Sequence, residues 1–169
     1  MARNTHDRTL DHFGTELDTA VTLSASLAAP TSTASGQTVH QALVDANAAF
    51  RDGGIQFIIG GGAAAITTGI KGDIELPFAG SITAVRLFAD QSGSIVIDIW
   101  KDTYTNYPPT VADTITASAK PTLASATKSQ DTTLTGWTTT FAAGDTLRFI
   151  VDSATTVTRV TLALRVRRT

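Results

Sequence analysis

The stretch that decides the fold is Asp90-Gln-Ser-Gly-Ser-Ile-Val-Ile-Asp-Ile-Trp-Lys-Asp-Thr-Tyr104. Ile95, Ile97 and Ile99 fall on one side of a period-2 repeat, and Val96, Asp98 and Trp100 fall on the other. Side chains of a β-strand point alternately to its two faces, so this spacing predicts a strand with one face in a core. Gln91-Ser-Gly-Ser94 is turn chemistry, and Ser81 to Phe88 reads as a further strand before it. The pattern extends outward. Ile70, Gly72, Ile74, Leu76 and Phe78 alternate with Lys71, Asp73 and Glu75, which predicts a half-buried strand ending near Pro77. Ile55-Gln-Phe-Ile-Ile59 is a strand running into the Gly60-Gly-Gly62 loop. Near the C-terminus Leu147, Phe149 and Val151 form one apolar face. Val160, Leu162, Leu164 and Val166 form another, with Arg159, Thr161, Ala163, Arg165 and Arg167 on its reverse. About eight short strands punctuated by Gly, Asp and Pro predict a mainly β fold, an antiparallel, jelly-roll-like β-sandwich over residues 54–169.

Composition agrees. The chain has 169 residues, enough for one domain with a real core and a short appendage. Its 30 threonines, with Ile and Val, supply β-branched side chains, while glutamate occurs only at Glu16 and Glu75. Charged residues make up 17% and the formal net charge is −2, a balance that argues against a nucleic-acid partner. The one basic cluster, Arg159, Arg165, Arg167 and Arg168, reads as solvated or interface arginines on the last strand. With no cysteine there is neither a disulfide framework nor a thiolate metal site. No apolar run approaches the roughly 20 residues that span a bilayer. Met1-Ala-Arg-Asn-Thr-His-Asp7 lacks the apolar core of a signal peptide, so folding in a cytoplasm is expected.

Residues 1–53 form a separate N-terminal segment, polar and mixed. Leu17, Val21, Leu23 and Leu27 at alternating spacing suit an extended strand, and Leu10, Phe13 and Leu17 equally suit the start of an amphipathic helix. Residues 28–37 are a linker by composition. The clear helix spans about 38–52, opened by a Thr38/Gln41 capping-box pattern. Val39, Leu43, Ala46 and Phe50 form a narrow apolar stripe along it. Such a stripe packs a helix against copies of itself, and these four residues are the expected oligomer contact. Docking of the helix on its own domain is the competing reading. Gly53-Gly54 is read as its end.

Residues 101–136 form a long excursion containing Pro108-Pro109 and Pro121, the kind of loop that carries binding function on a rigid sandwich. Tyr104, Asn106, Tyr107 and Trp137 are its candidate glycan or receptor contacts, because flat rings beside amides and carboxylates suit sugar recognition. The competing reading makes Trp100 and Trp137 caps on the core. Catalytic residues are not expected. Gly60-Gly-Gly-Ala-Ala-Ala65 formally satisfies a dinucleotide pattern, but β-branched residues follow where a phosphate-binding helix must start. His6, His12 and His40 all lie in the N-terminal segment, so no triad or zinc site is expected, nor any cofactor or metal. Asp98 and Asp102 are the best local carboxylate pair for glycoside hydrolysis, but Asp98 is expected to anchor a turn or to pair with Lys101, Arg86 or Arg148.

The Asp90–Tyr104 string, together with Gly69-Ile-Lys-Gly-Asp-Ile-Glu-Leu-Pro-Phe-Ala-Gly80 and Thr133-Leu-Thr-Gly-Trp-Thr-Thr-Thr140, resembles a module of tailed-bacteriophage structural proteins. That family comprises tail fibre, head fibre and minor virion proteins, and the resemblance covers about residues 54–169. It implies a non-enzymatic virion part, assembled in the host cytoplasm, that attaches by its N-terminal segment. The implied partners are copies of itself, as a homotrimer, other capsid or tail proteins, and a host surface glycan. A chain this short, without a repeat stalk, favours a head fibre, decoration protein or small tail component.

Overall fold

The computed structural model describes residues 39–169. The extended or helical readings before residue 38, the linker at 28–37, and His6 and His12 lie outside the described residues. The chain divides into two units, Met1–Ala49 and Phe50–Thr169. A single helix, α1 (Val39–Arg51), is described ahead of the strands. On it Leu43 and Phe50 are 63% and 80% exposed, and Ala46 is exposed as well. Gly53 and Gly54 do not cap it, because the first strand begins directly at Asp52.

Seven antiparallel strands follow: β1 (Asp52–Gly60), β2 (Gly69–Glu75), β3 (Gly80–Thr103), β4 (Thr122–Asp131), β5 (Thr140–Phe141), β6 (Asp145–Thr155) and β7 (Arg159–Arg168). The fold is mainly β, as expected. The strand at Ser81–Phe88 and that at Ile95–Ile99 are one continuous 24-residue β3. Gln91-Ser-Gly-Ser94 is thus no hairpin turn. It is a break in register, where β4 slips against β3 between Phe88 and Ile95.

β6 and β7 lie end to end along β3. β7 pairs with Gly80–Ala89, and β6 pairs with Ser94–Thr103. β1 then flanks β7 and β2 flanks β6. The sheet curls over at the break, so its two halves face each other. The stacking of Phe57 of β1 on Phe149 of β6, with ring centroids 4.2 Å apart, marks that facing. One layer is β1, β7, the first half of β3 and most of β4. The other is β2, β6 and the second half of β3.

Between the layers lie the apolar positions that the alternation predicted. Ile95, Ile97, Ile99, Leu147, Phe149, Leu162 and Leu164 have no exposed surface, and Val151 and Val166 are 1% exposed. Fully burying such a side chain stabilises the fold by about 1.5–3 kcal/mol relative to leaving it in water. Burial weakens at the sheet margins. On the edge strand β1, Ile55 and Phe57 face the core but stay half-exposed, and Ile74 does so on β2. Ile58 and Ile70 are exposed outright at 62% and 56%.

Candidate functional site

After β3 the chain crosses the outer face of the second layer as a strap. It passes through a short 3-10 turn, Tyr104–Asn106, and another at Val111–Asp113. The contacts trace its course. The Tyr107 hydroxyl donates to Asp73 on β2 at 2.8 Å, and Arg148 on β6 donates to the Pro109 carbonyl at 3.3 Å. Thr114 then bridges to Trp100 on β3. The strap therefore spans three strands.

Arg148 holds it down. Its Nε and Nη2 donate to the two oxygens of Asp73 at 2.7 and 2.8 Å, a bidentate geometry. Nη2 also reaches the Tyr107 hydroxyl at 3.2 Å, and the guanidinium lies 5.4 Å from that ring's centroid. The Arg148 hydrogen bonds are the main cause that lowers the Asp73 carboxyl below its ordinary range, with Tyr107 adding to it.

Beneath the strap sits Asp98, only 2% exposed. Its Oδ1 accepts from Thr114 and Thr116 hydroxyls, both at 2.7 Å, and from the Ile99 amide at 2.8 Å. Its Oδ2 accepts from the Trp100 indole at 3.0 Å and pairs with Lys120 at 2.9 Å. Lys120 also pairs with Asp152 at 2.7 Å. Burial pushes the Asp98 carboxyl up, but the bonds from Thr114, Thr116, Lys120 and Trp100 outweigh it and hold the pKa at about 2. The expected pairing with Lys101, Arg86 or Arg148 does not occur: Lys101 pairs with Asp145, Arg148 with Asp73, and Arg86 bonds Gln130. A carboxylate whose oxygens are both occupied by donors is an anchor for the 114–120 segment, with no lone pair aimed at solvent for proton transfer.

The four expected sugar contacts separate. Tyr104 is 79% exposed and Tyr107 50%, and Asn106 is exposed between them. Asn106 donates to Asp102 at 3.2 Å, and Asp102 also accepts from the Thr103 amide at 2.7 Å. Trp137 instead is 9% exposed, belongs to the core, and donates its indole N–H to the Ala119 carbonyl at 2.8 Å. Its ring offers no platform. The Gly60 loop has the strand but not the helix of a phosphate cradle. Gly60 and Gly61 take positive φ, Ile66 drops into the core, and β2 follows. No group of three or more His, Asp or Glu residues that could hold a metal occurs among the described residues. No described helix is long and apolar enough to cross a membrane.

Sequence reading missed Asp73, Thr114, Thr116 and Lys120 as members of these clusters, and named Arg148 only as a partner for Asp98. Each looks like an ordinary outward polar residue, and only strand register and the strap's path bring them together.

These features define a class, an antiparallel β protein with a strapped outer face. No family model and no curated protein matches the chain. Among solved structures it is similar to a serine protease of Aeromonas sobria, with 11% identity and a TM-score of 0.29. It is also similar to a structure of the infectious bursal disease virus Gx strain, with 16% identity and a TM-score of 0.25. The matches cover 67% and 70% of this chain but only 26% and 38% of those chains.

Proposed function

We propose that this chain is a non-enzymatic structural subunit of a tailed-bacteriophage virion, a head fibre, decoration protein or small tail-fibre or spike component. It self-associates, as a homotrimer, and attaches to other virion proteins through residues 1–53. The observation that carries this reading is apolar surface left open where chains would meet. Leu43 and Phe50 are solvent-exposed on α1, and α1 runs without a linker into β1, an edge strand on which the inward Ile55 and Phe57 are only half covered while Ile59 is buried. An exposed, flat, hydrophobic edge is a liability that a sister subunit removes. The resemblance carried by the Asp90–Tyr104 string supplies the virion setting.

Light scattering on the full chain and on a Leu43→Ser, Phe50→Ser double variant tests this. A trimer that dissociates in the variant, with an unchanged β-sheet circular-dichroism spectrum, is expected. A monomer at all concentrations with the wild-type chain would sink the self-association.

Glycan or receptor binding by the same subunit is the second reading, supported by the exposed Tyr104 ring beside Asn106 and Tyr107. A glycan array probed with multivalent protein should give signals that Tyr104→Ala abolishes. An empty array at high multivalency disposes of it.

A further inference from the structure

The two outer faces of the sandwich are unlike. The second layer lies under the strap, while no segment of residues 52–169 crosses the outer face of the β1-β7-β3-β4 layer. Register assigns that face in rows. Ile58, Thr161, Phe88 and Lys128 make one, and Gln56, Ala163, Arg86 and Gln130 make the next. Gly54, Arg165 and Ala84 follow, and then Asp52, Arg167 and Ser81. Small residues in the middle leave a hollow of about 400 Å³, lined by Gly53, Ala84, Asp52, Arg86, Arg165 and Arg167 among others.

Its charge is mainly positive; the one carboxylate of its lining, Asp52, is held down by Arg167 and, more weakly, by the charge of Arg165. Arg167 pairs with Asp52 at 2.9 Å, but Arg86, Lys128, Arg159 and Arg165 form no ion pair with a described residue. Arg86 is steadied by its Nε–H bond to Gln130 at 2.8 Å, which presents its guanidinium in a defined pose. This cationic face belongs to a chain whose formal net charge is −2. Beside the cations stand two exposed apolar side chains, Ile58 at 62% and Phe88 at 47%, in one row with only Thr161 between them.

We propose that this face docks a carboxylate-bearing protein surface, with an Asp or Glu side chain of the partner seated between Arg86 and Arg165 and apolar contact made at Ile58 and Phe88. Guanidinium groups match carboxylates bidentately, and arginine with aromatic residues is enriched in protein interfaces. A nucleic-acid strand fits less well. Asp52 and Asp90 stand at opposite ends of the basic row, so a phosphodiester track would meet a negative charge at each end, and Phe88 is the only aromatic residue in the four rows. Four strands at about 4.8 Å spacing, along nine residues of β1, give a face on the order of 500 Å². That is at the small end for one side of a specific interface, so single-site binding is weak and salt-dependent. The inference does not rest on the virion reading.

The test is fluorescence anisotropy of a labelled twelve-residue poly-glutamate peptide with the full chain, in parallel with a single-stranded oligonucleotide of similar charge. The peptide should bind, and Arg86→Gln with Arg165→Gln should weaken it roughly tenfold. Ala163→Glu, which places a carboxylate beside the hollow, should weaken it too, while Lys71→Gln on β2 should change nothing. Absent peptide binding, an unchanged affinity in both face variants, an equal loss in Lys71→Gln, or tighter binding of the oligonucleotide would each overturn the proposal.

Discussion

Asp98 is the residue on which the strap turns. A buried carboxylate survives only when its charge is met by donors, and five groups meet it here. Its folded pKa of about 2 lies below the ordinary value of about 3.9, so its contribution to stability is present above pH 4. That contribution is lost as pH falls from about 4 to 2. Melting temperature measured across that window should drop in the wild type, with a shallower acid limb in Asp98→Asn. An equally steep limb in the variant would assign the acid sensitivity to other carboxylates, such as Asp90, also held at about 2 by Thr158 and Arg159. Gly60 is the other demanding position. Its φ is +78°, and an added Cβ would lie 2.2 Å from the Thr158 carbonyl oxygen. Gly60→Ala should therefore cost about 1–3 kcal/mol in chemical denaturation.

The decisive element is β3. Alternation identified its second half, because Ile95, Ile97 and Ile99 repeat every second residue, and Ser81–Phe88 was read as a strand before it. What alternation could not reveal is that Gln91-Ser-Gly-Ser94 continues a strand. Turn residues and sheet-corner residues are the same residues, since both sites need small side chains. Gly93 shows the corner's requirement. A Cβ there would meet the Thr155 carbonyl oxygen at 2.6 Å and the Val157 side chain at 2.7 Å. Gly93→Ala should destabilise the sandwich by about 2 kcal/mol or more by urea melt, as overpacking does. A neutral effect would mean that the corner relaxes freely. The helix at about 38–52 was legible from its stripe, and it spans Val39–Arg51. Its end falls within a residue of the expected one, but Gly53-Gly54 belongs to β1 and does not cap it, because glycines serve an edge strand as readily as a helix cap.

For the molecule as a whole, the long ribbon of β3 against β6 and β7 is paired on both sides along much of its length, whereas β1 and β2 are edges. Hydrogen exchange of the full chain should protect the amides of Ile97, Phe149 and Leu162 most strongly. The outward-facing amides of β1 should exchange faster at low concentration and slow as subunits associate. Concentration-independent exchange in β1 would place any self-contact elsewhere.

Of all this, the sequence by itself determined the β class, the helix, and which residues of the inner strands enter the core, because burial on one face of a strand writes itself into period-2 alternation. It also showed that His and Cys chemistry has no place in the sandwich. Tertiary structure alone decided which strands pair, that one strand turns the corner between layers, and that Asp98 is buried while Arg86 and Arg165 share an open face. Those outcomes depend on register and on the path of the 104–113 strap, contacts between residues far apart in the chain that leave no local periodicity to read.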